Sequence, residues 1–164
     1  MKKVQCFIGL GGNLGDSRQI FVDAIDALAK IGEVRVSSLY SSPPMGPQDQ
    51  PDYLNAVVEL WTDLAPLALL DRLQYIENES GRVRLRHWGE RTLDLDLLLY
   101  GDEQIDVPRL KVPHVGLFER DFVVLPLLDL EPNKVIAGQV LQDLACVKNP
   151  TAQAIDADWY HSAH

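Results

Sequence analysis

The chain has 164 residues, 46% of them hydrophobic and 24% charged, proportions that suit one globular domain able to bury a core without disulfide or metal staples. Its formal net charge of -9 argues against a sequence-independent hold on nucleic acid, which needs clustered lysine and arginine to release counterions from phosphates. No stretch reaches the ~20 apolar residues that cross a bilayer, so neither a polymer nor a membrane is an expected partner, while a small anion held by local charge stays open.

In chain order, Val4 to Ile8 reads as a strand rather than a signal peptide, because the apolar run is short and no small-residue cleavage site follows it. Gly9, Gly11, Gly12 and Gly15 read as a turn or a close approach to a ligand. A helix is expected from Ser17 to Lys30, with Asp16 as N-cap, Gln19 in the capping-box position and Gly32 as terminator. Val34 to Tyr40 reads as one strand, and the proline-rich segment from Pro43 to Pro51 as a long loop. Tyr53 to Trp61 is a strand whose period of two puts Tyr53, Asn55, Val57 and Glu59 on one face and Leu54, Ala56, Val58 and Leu60 on the core face. Pro66 to Ser80 is a helix with Leu69, Leu70, Leu73 and Ile76 as its apolar stripe and Gln74 and Glu77 on the adjoining face. A polar loop from Arg82 to Arg91 leads into a strand from Thr92 to Tyr100, and the remainder mixes short helices with prolines at 108, 113, 126 and 132. The order βαββαβ predicts an α+β fold: a ferredoxin-like core, an antiparallel sheet with helices packed on one face. Cys6 and Cys146 lack metal-ligand spacing and fit a reduced, cytoplasmic protein with two structural thiols.

The most informative segment is Thr92-Leu93-Asp94-Leu95-Asp96-Leu97. Alternation puts both carboxylates on one face and the leucines in the core, and two adjacent like charges call for a neutralising partner. A hard divalent cation with oxygen ligands meets that need, whereas a merely solvated strand face gives no reason for two aspartates, which are poor strand formers. Just upstream, Arg82, Arg84, Arg86 and Arg91 stand against the single acid Glu90, a local inversion of charge in an acidic chain. Guanidinium groups bind phosphate oxygens in pairs, so the arginines and the aspartates together read as two halves of a polyphosphate clamp. The glycine cluster fits neither nucleotide fingerprint, since Leu14 stands where the dinucleotide pattern needs glycine and no Gly-Lys-Ser/Thr follows. Tyr53 and Asn55 could supply an aromatic platform and an amide for a flat heterocycle, or be simply a core tyrosine and an edge asparagine.

Taken together, Ser42-Pro43-Pro44, Gly46 through Asn55, Gly81-Arg82-Val83-Arg84, Trp88-Gly89, Arg91 through Asp96 and Val112-Pro113-His114 closely resemble the 6-hydroxymethyl-7,8-dihydropterin pyrophosphokinases, from the first strand to about Pro132. The resemblance implies diphosphate transfer from ATP to the pterin hydroxymethyl group in folate biosynthesis, by a monomer. It implies two Mg²⁺ on Asp94 and Asp96, with Arg82 and Arg91 as further catalytic residues. Pterin contacts would come from Ser42, Pro44, Tyr53, Asn55, Trp88 and Phe122. ATP contacts would come from Gln74, Glu77, Arg84, Arg86, Arg91, Leu97, Lys111, His114 and Arg120. His87 stands where the family commonly has arginine before Trp88-Gly89, which makes Arg86 the candidate replacement, and Val115 stands where an aromatic often follows the histidine. The other classes open to such a sequence are a kinase that transfers the γ-phosphoryl to a small metabolite and a non-catalytic ligand-binding module. The tail after Pro150 has no assignment from sequence.

Overall fold

Apolar residues occupy both odd and even positions of several strands, so the sheet they form has to be covered on both faces. The computed structural model, which describes residues 2–44, 46, 48–80 and 92–164, has that arrangement. The elements run β1 (Val4–Gly12), α1 (Ser17–Leu28), β2 (Glu33–Val36), β3 (Leu39–Ser42), β4 (Tyr53–Thr62), α2 (Pro66–Glu79) and β5 (Asp94–Tyr100). There follow β6 (Ile105–Val107), β7 (Leu110–Val112), α3 (Asp121–Leu130), β8 (Val135–Ile136), β9 (Gln139–Val140), α4 (Ala145–Lys148) and β10 (Gln153–Asp156). The main sheet is antiparallel throughout, in the spatial order β10, β3, β4, β1, β5, with β2 also on β4. With β2 and β3 counted as one interrupted strand, this is the expected ferredoxin-like βαββαβ core.

On one face Ile8, Leu10, Ala56, Val58, Leu60, Leu95 and Leu97 pack against Phe21, Ile25 and Leu28 of α1 and Leu69, Leu73 and Ile76 of α2. The expectation of helices on one face only does not hold. Phe7, Val57, Leu98 and Leu99 pack on the other side under Val123, Val124, Leu127 and Leu130 of α3. That helix is one of those expected among the C-terminal prolines, and it runs through Pro126. Proline there removes the N–H that would bond to the carbonyl four residues earlier and crowds that carbonyl with its ring, and burial of the surrounding apolar residues outweighs both costs. The second face of β4 is therefore core as well, and Glu59 is buried on it.

Two local readings also change. Asp16 caps α1, its carboxylate accepting from the Gln19 N–H at 3.2 Å, but the Gln19 side chain turns forward to Asp23, so the capping box is half formed. The expected strand from Val34 to Tyr40 is split at Ser37, whose hydroxyl accepts from the Val57 N–H and whose carbonyl accepts from the Trp159 indole. Trp159 is fully buried beside Phe21, so the unassigned tail supplies core. The first helix ends at Leu28 with Ala29 as its cap, earlier than expected, and Gly32 serves a close approach instead of terminating it: a Cβ there would sit 2.0 Å from the Trp61 carbonyl oxygen. Cys6 and Cys146 are unpaired, and burial, then the nearby Glu103 charge, pushes the Cys6 thiol up to about 12.

Glu59 anchors the end of the α3 face away from β5's carboxylates. Arg35 binds it in two-pronged fashion at 2.8 and 2.7 Å, and Gln5 and the Trp61 indole also donate to it. The Arg35 hydrogen bonds, more than its charge, hold the Glu59 carboxyl below the usual carboxylate range. A depressed pKa stabilises the fold above the unfolded value and ceases to do so as pH falls through the folded value. Arg35→Met should therefore cost about 2 kcal/mol near neutral pH and progressively less below about pH 4. Urea melts of both proteins at pH 7 and pH 3 check this, and a difference independent of pH would assign the effect to the Arg35 stem instead.

Candidate active site

The site forms where β1 loses its side chains. Phe7, Gly9 and Gly11 share the α3 face of this interior strand, and beyond Phe7 the strand itself puts no side chain on that face, although the Leu98 side chain lies 3.5 Å from where a Gly9 Cβ would stand. The glycines expected to turn the chain lie inside a strand that runs on to Gly12, and only Gly15, at φ +77°, serves the turn. The register puts Asn55, Gly11 and Asp94 in one cross-strand row and Val57, Gly9 and Asp96 in the next. Gly9 and Gly11 thus floor a pocket walled by Tyr53, Asn55, Asp94, Asp96, Arg120 and Phe122. Six residues singled out from the sequence meet there.

On the β4 side, the buried Asn55 donates from Nδ2 to the Ser42 hydroxyl at 2.7 Å. That bond fixes the amide, and its Oδ1 faces the glycine floor, 3.7 Å from where a Gly11 Cβ would stand. Ser42 therefore acts on the pocket through Asn55. Pro44 is buried, and its carbonyl accepts from the Gln48 side chain at 3.0 Å. Asn13 ties the same loop to the end of β1, donating to Gln50 at 3.0 Å and to the Pro51 carbonyl at 2.8 Å.

On the β5 side, Asp94 and Asp96 face the pocket while Leu95 and Leu97 enter the core. A bulge opposite Phe7 then turns both Leu98 and Leu99 to the α3 face. His114 Nδ1 accepts from the Gly116 N–H at 3.2 Å, which leaves Nε2 to carry the proton of the neutral ring, 3.9 Å from Asp96 Oδ1. Arg120 lies over Gly116, where an added Cβ would come within 2.6 Å of its guanidinium. Asp96 is about half exposed, with 46% of its side chain accessible. Among the described residues no group of three or more His, Cys, Asp or Glu side chains could cage a metal. A carboxylate pair fits Mg²⁺, which takes one or two carboxylates and completes its shell with water and substrate phosphates.

The model of the family described as 7,8-dihydro-6-hydroxymethylpterin-pyrophosphokinase (HPPK) matches residues 7–132. A 2-amino-4-hydroxy-6-hydroxymethyldihydropteridine pyrophosphokinase of Haemophilus influenzae is 48% identical over 145 residues, 86% of this chain and 91% of the relative. Its counterpart from Pseudomonas aeruginosa is 52% identical over 130 residues, 77% of this chain and 80% of the relative. The chain belongs to the HPPK family. Among solved structures, wild-type Plasmodium falciparum HPPK-DHPS matches with a TM-score of 0.69 at 15% identity, over 90% of this chain and 43% of that one. An HPPK-DHPS crystallised with substrates gives a TM-score of 0.70 at 14% identity, over 98% of this chain. The chain spans less than half of those two-part proteins, and at such identity they speak for the fold alone.

The remaining residues expected from the HPPK resemblance fall into two groups. Gln74, Glu77, Leu97, Lys111 and His114 line no part of the pocket; they gather along the outer edge of β5. Gln74 accepts from Arg109 at 3.4 Å, and Lys111 pairs with Asp106. Glu77 is buried and accepts from the Leu95 N–H at 2.7 Å, between the two aspartates. Arg82, Arg84, Arg86, Trp88 and Arg91 lie outside the described residues. The close approach expected of the glycines falls on a strand floor and not on a turn. The signal was there, since glycines two apart in a strand share a face, but turn preference was weighed above register.

Because Glu77 holds β5 by an acceptor atom, Glu77→Ala should lose about 1–3 kcal/mol of stability and Glu77→Gln, whose amide oxygen can still accept, much less. Urea unfolding separates the two, and equal losses would show that the charge rather than the acceptor matters.

Proposed function

We propose that this chain transfers the diphosphate of ATP to the hydroxymethyl group of 6-hydroxymethyl-7,8-dihydropterin and releases AMP, a step of folate biosynthesis. The observation that carries the reading is the row Asn55–Gly11–Asp94, which sets an amide acceptor and a carboxylate at opposite ends of a flat floor. The two ends are two strand spacings apart, about 9–10 Å, a span that suits a bicyclic ring with a one-carbon arm. The ring lies over Gly11 between Tyr53 and Phe122. Asn55 Oδ1 accepts from its N–H edge, helped by backbone groups of Ser42 and Pro44, and its hydroxymethyl arm reaches the aspartates.

Asp94 and Asp96 would hold two Mg²⁺, which would supply positive charge to the phosphates and make the attacking hydroxyl more acidic. The hydroxyl oxygen bonds to the β-phosphorus as the bond to the α–β bridging oxygen breaks. The hydroxyl proton leaves to solvent, and AMP departs with the bridging oxygen. Arg82 and Arg91 stabilise the charge that grows on that oxygen. Gln74, Glu77, Lys111 and the backbone at Leu97 place the nucleotide, while Arg84, Arg86, His114 and Arg120 hold phosphates and Trp88 closes over the pterin. We place the enzyme in the cytoplasm as a monomer. Among the described residues no helix is long and apolar enough to cross a membrane.

The nucleotide product tests the reaction: AMP is expected, and ADP would mean γ-phosphoryl transfer by a kinase instead. Asp96→Asn keeps shape and removes charge, so turnover should drop at least ~10²-fold with an unchanged melting temperature. Parent-like turnover at limiting Mg²⁺ would exclude the metal role. A Cβ on Gly11 meets only Asn55 Oδ1, at an ordinary 3.7 Å, so Gly11→Ala should fold normally. It should nonetheless weaken pterin roughly tenfold by raising the floor, with ATP affinity unchanged in calorimetry. Equal loss of both ligands would count against a dedicated pterin floor.

A further inference from the structure

We infer that Asp121 is a positioning residue that locks the C-terminal segment onto the start of α3 and so sets Phe122 and Arg120 against the Tyr53–Asn55 side of the pocket. This rests on reading that pocket as the pterin site. Asp121 is buried, and its Oδ2 accepts from the Thr151 N–H at 2.5 Å, the Thr151 hydroxyl at 3.1 Å and the Ala152 N–H at 2.9 Å. Its two chain neighbours, Arg120 and Phe122, both line the pocket. The segment it holds leads directly into β10, where Gln153 pairs with Ser41, next to the Ser42 whose hydroxyl fixes Asn55.

One carboxylate thus closes a route from the wall that carries Phe122, through residues 151–153, to the wall that carries Asn55. The two walls belong to different elements, and the spacing between them decides whether a flat ring fits. Residues 151–153 lie beyond the 7–132 stretch that the family model matches, so this brace is supplied by a part of the chain that the model does not cover. Removing the carboxylate would leave the Thr151 and Ala152 N–H groups without their acceptor and free the start of α3 to shift.

A double-mutant cycle separates positioning from simple stabilisation. The probe is 6-hydroxymethyl-7,8-dihydropterin, titrated with Mg²⁺ and an ATP analogue whose α–β bridge is a methylene, with melting curves on every variant. If Asp121 acts through Phe122, Asp121→Ala should weaken pterin about tenfold, and Asp121→Ala/Phe122→Ala should bind within about twofold of Phe122→Ala alone. Asp121→Asn keeps one acceptor oxygen and should lose only about threefold. Should Asp121→Ala fail to fold, Asp121→Asn with and without Phe122→Ala completes the same cycle. Additive losses, or Asp121 variants that bind as the parent does, overturn the inference while leaving the pterin site intact. Parent-like binding by Phe122→Ala itself overturns the pterin reading and the inference together.

Discussion

Everything in the site depends on a central strand that must be paired on both sides and yet bare on one face. β1 is hydrogen-bonded to β4 and β5, so its backbone is held on both sides. Its inward residues Ile8 and Leu10 are fully used by the α1–α2 core. On the other face Phe7 still belongs to the core under α3, and two residues later the side chains stop. Gly in a strand interior is destabilising, and the flanking pairings absorb that cost. A bare floor on a strand paired on both sides is rigid in a way that a loop could not be, and it lets groups on β4 and β5 face each other across a row without side chains.

Around this floor the fold uses carboxylates as fasteners. Glu77 holds the Leu95 N–H, Asp121 holds two N–H groups of the tail, and Asp129 accepts from the Ser38 N–H and the Tyr40 hydroxyl. Burial first, and then the Asp129 charge, keeps that phenol protonated at any ordinary pH. Each of these acids joins elements far apart in sequence, and an N–H bond to a carboxylate is worth roughly 1.5–3 kcal/mol when sheltered from water. The acidity of the chain is therefore in part structural, with negative charge spent on backbone donors that would otherwise be buried unpaired.

The sequence made the β4 and β5 faces legible because a strand's period of two needs no knowledge of partners: Asp94 with Asp96, and Tyr53 with Asn55, follow from counting. Element order was legible for the same reason. What failed were features fixed by distant residues. The break at Ser37 is set by Val57 and by Trp159, 122 positions away along the chain, and no local pattern encodes it. The second helical layer was not legible because short helices among prolines carry no sign of which face they cover, and the burial that seats α3 comes from Phe7, Val57 and Leu99 on three separate strands. The glycines of β1 were misjudged because the same residue type serves turns and bare strand faces, and only pairing tells them apart.

Placing the aspartates on β5 carries a mechanical difficulty, because among the described residues β5 pairs only with β1, and an edge strand frays more readily than a central one. The structure answers with attachments from outside the sheet. Glu77 takes the Leu95 N–H, and the His114 N–H bonds to the Leu98 carbonyl at 3.1 Å. The first lies between the two aspartates and the second brings the His114 ring beside Asp96. An edge position leaves one flank of the carboxylates open to a polyphosphate, which a central strand would bury. The external bonds then restore the rigidity that pairing would have given. Access for a large anion and fixed carboxylate geometry are opposed demands on a sheet, and a side-chain-bound edge strand meets both.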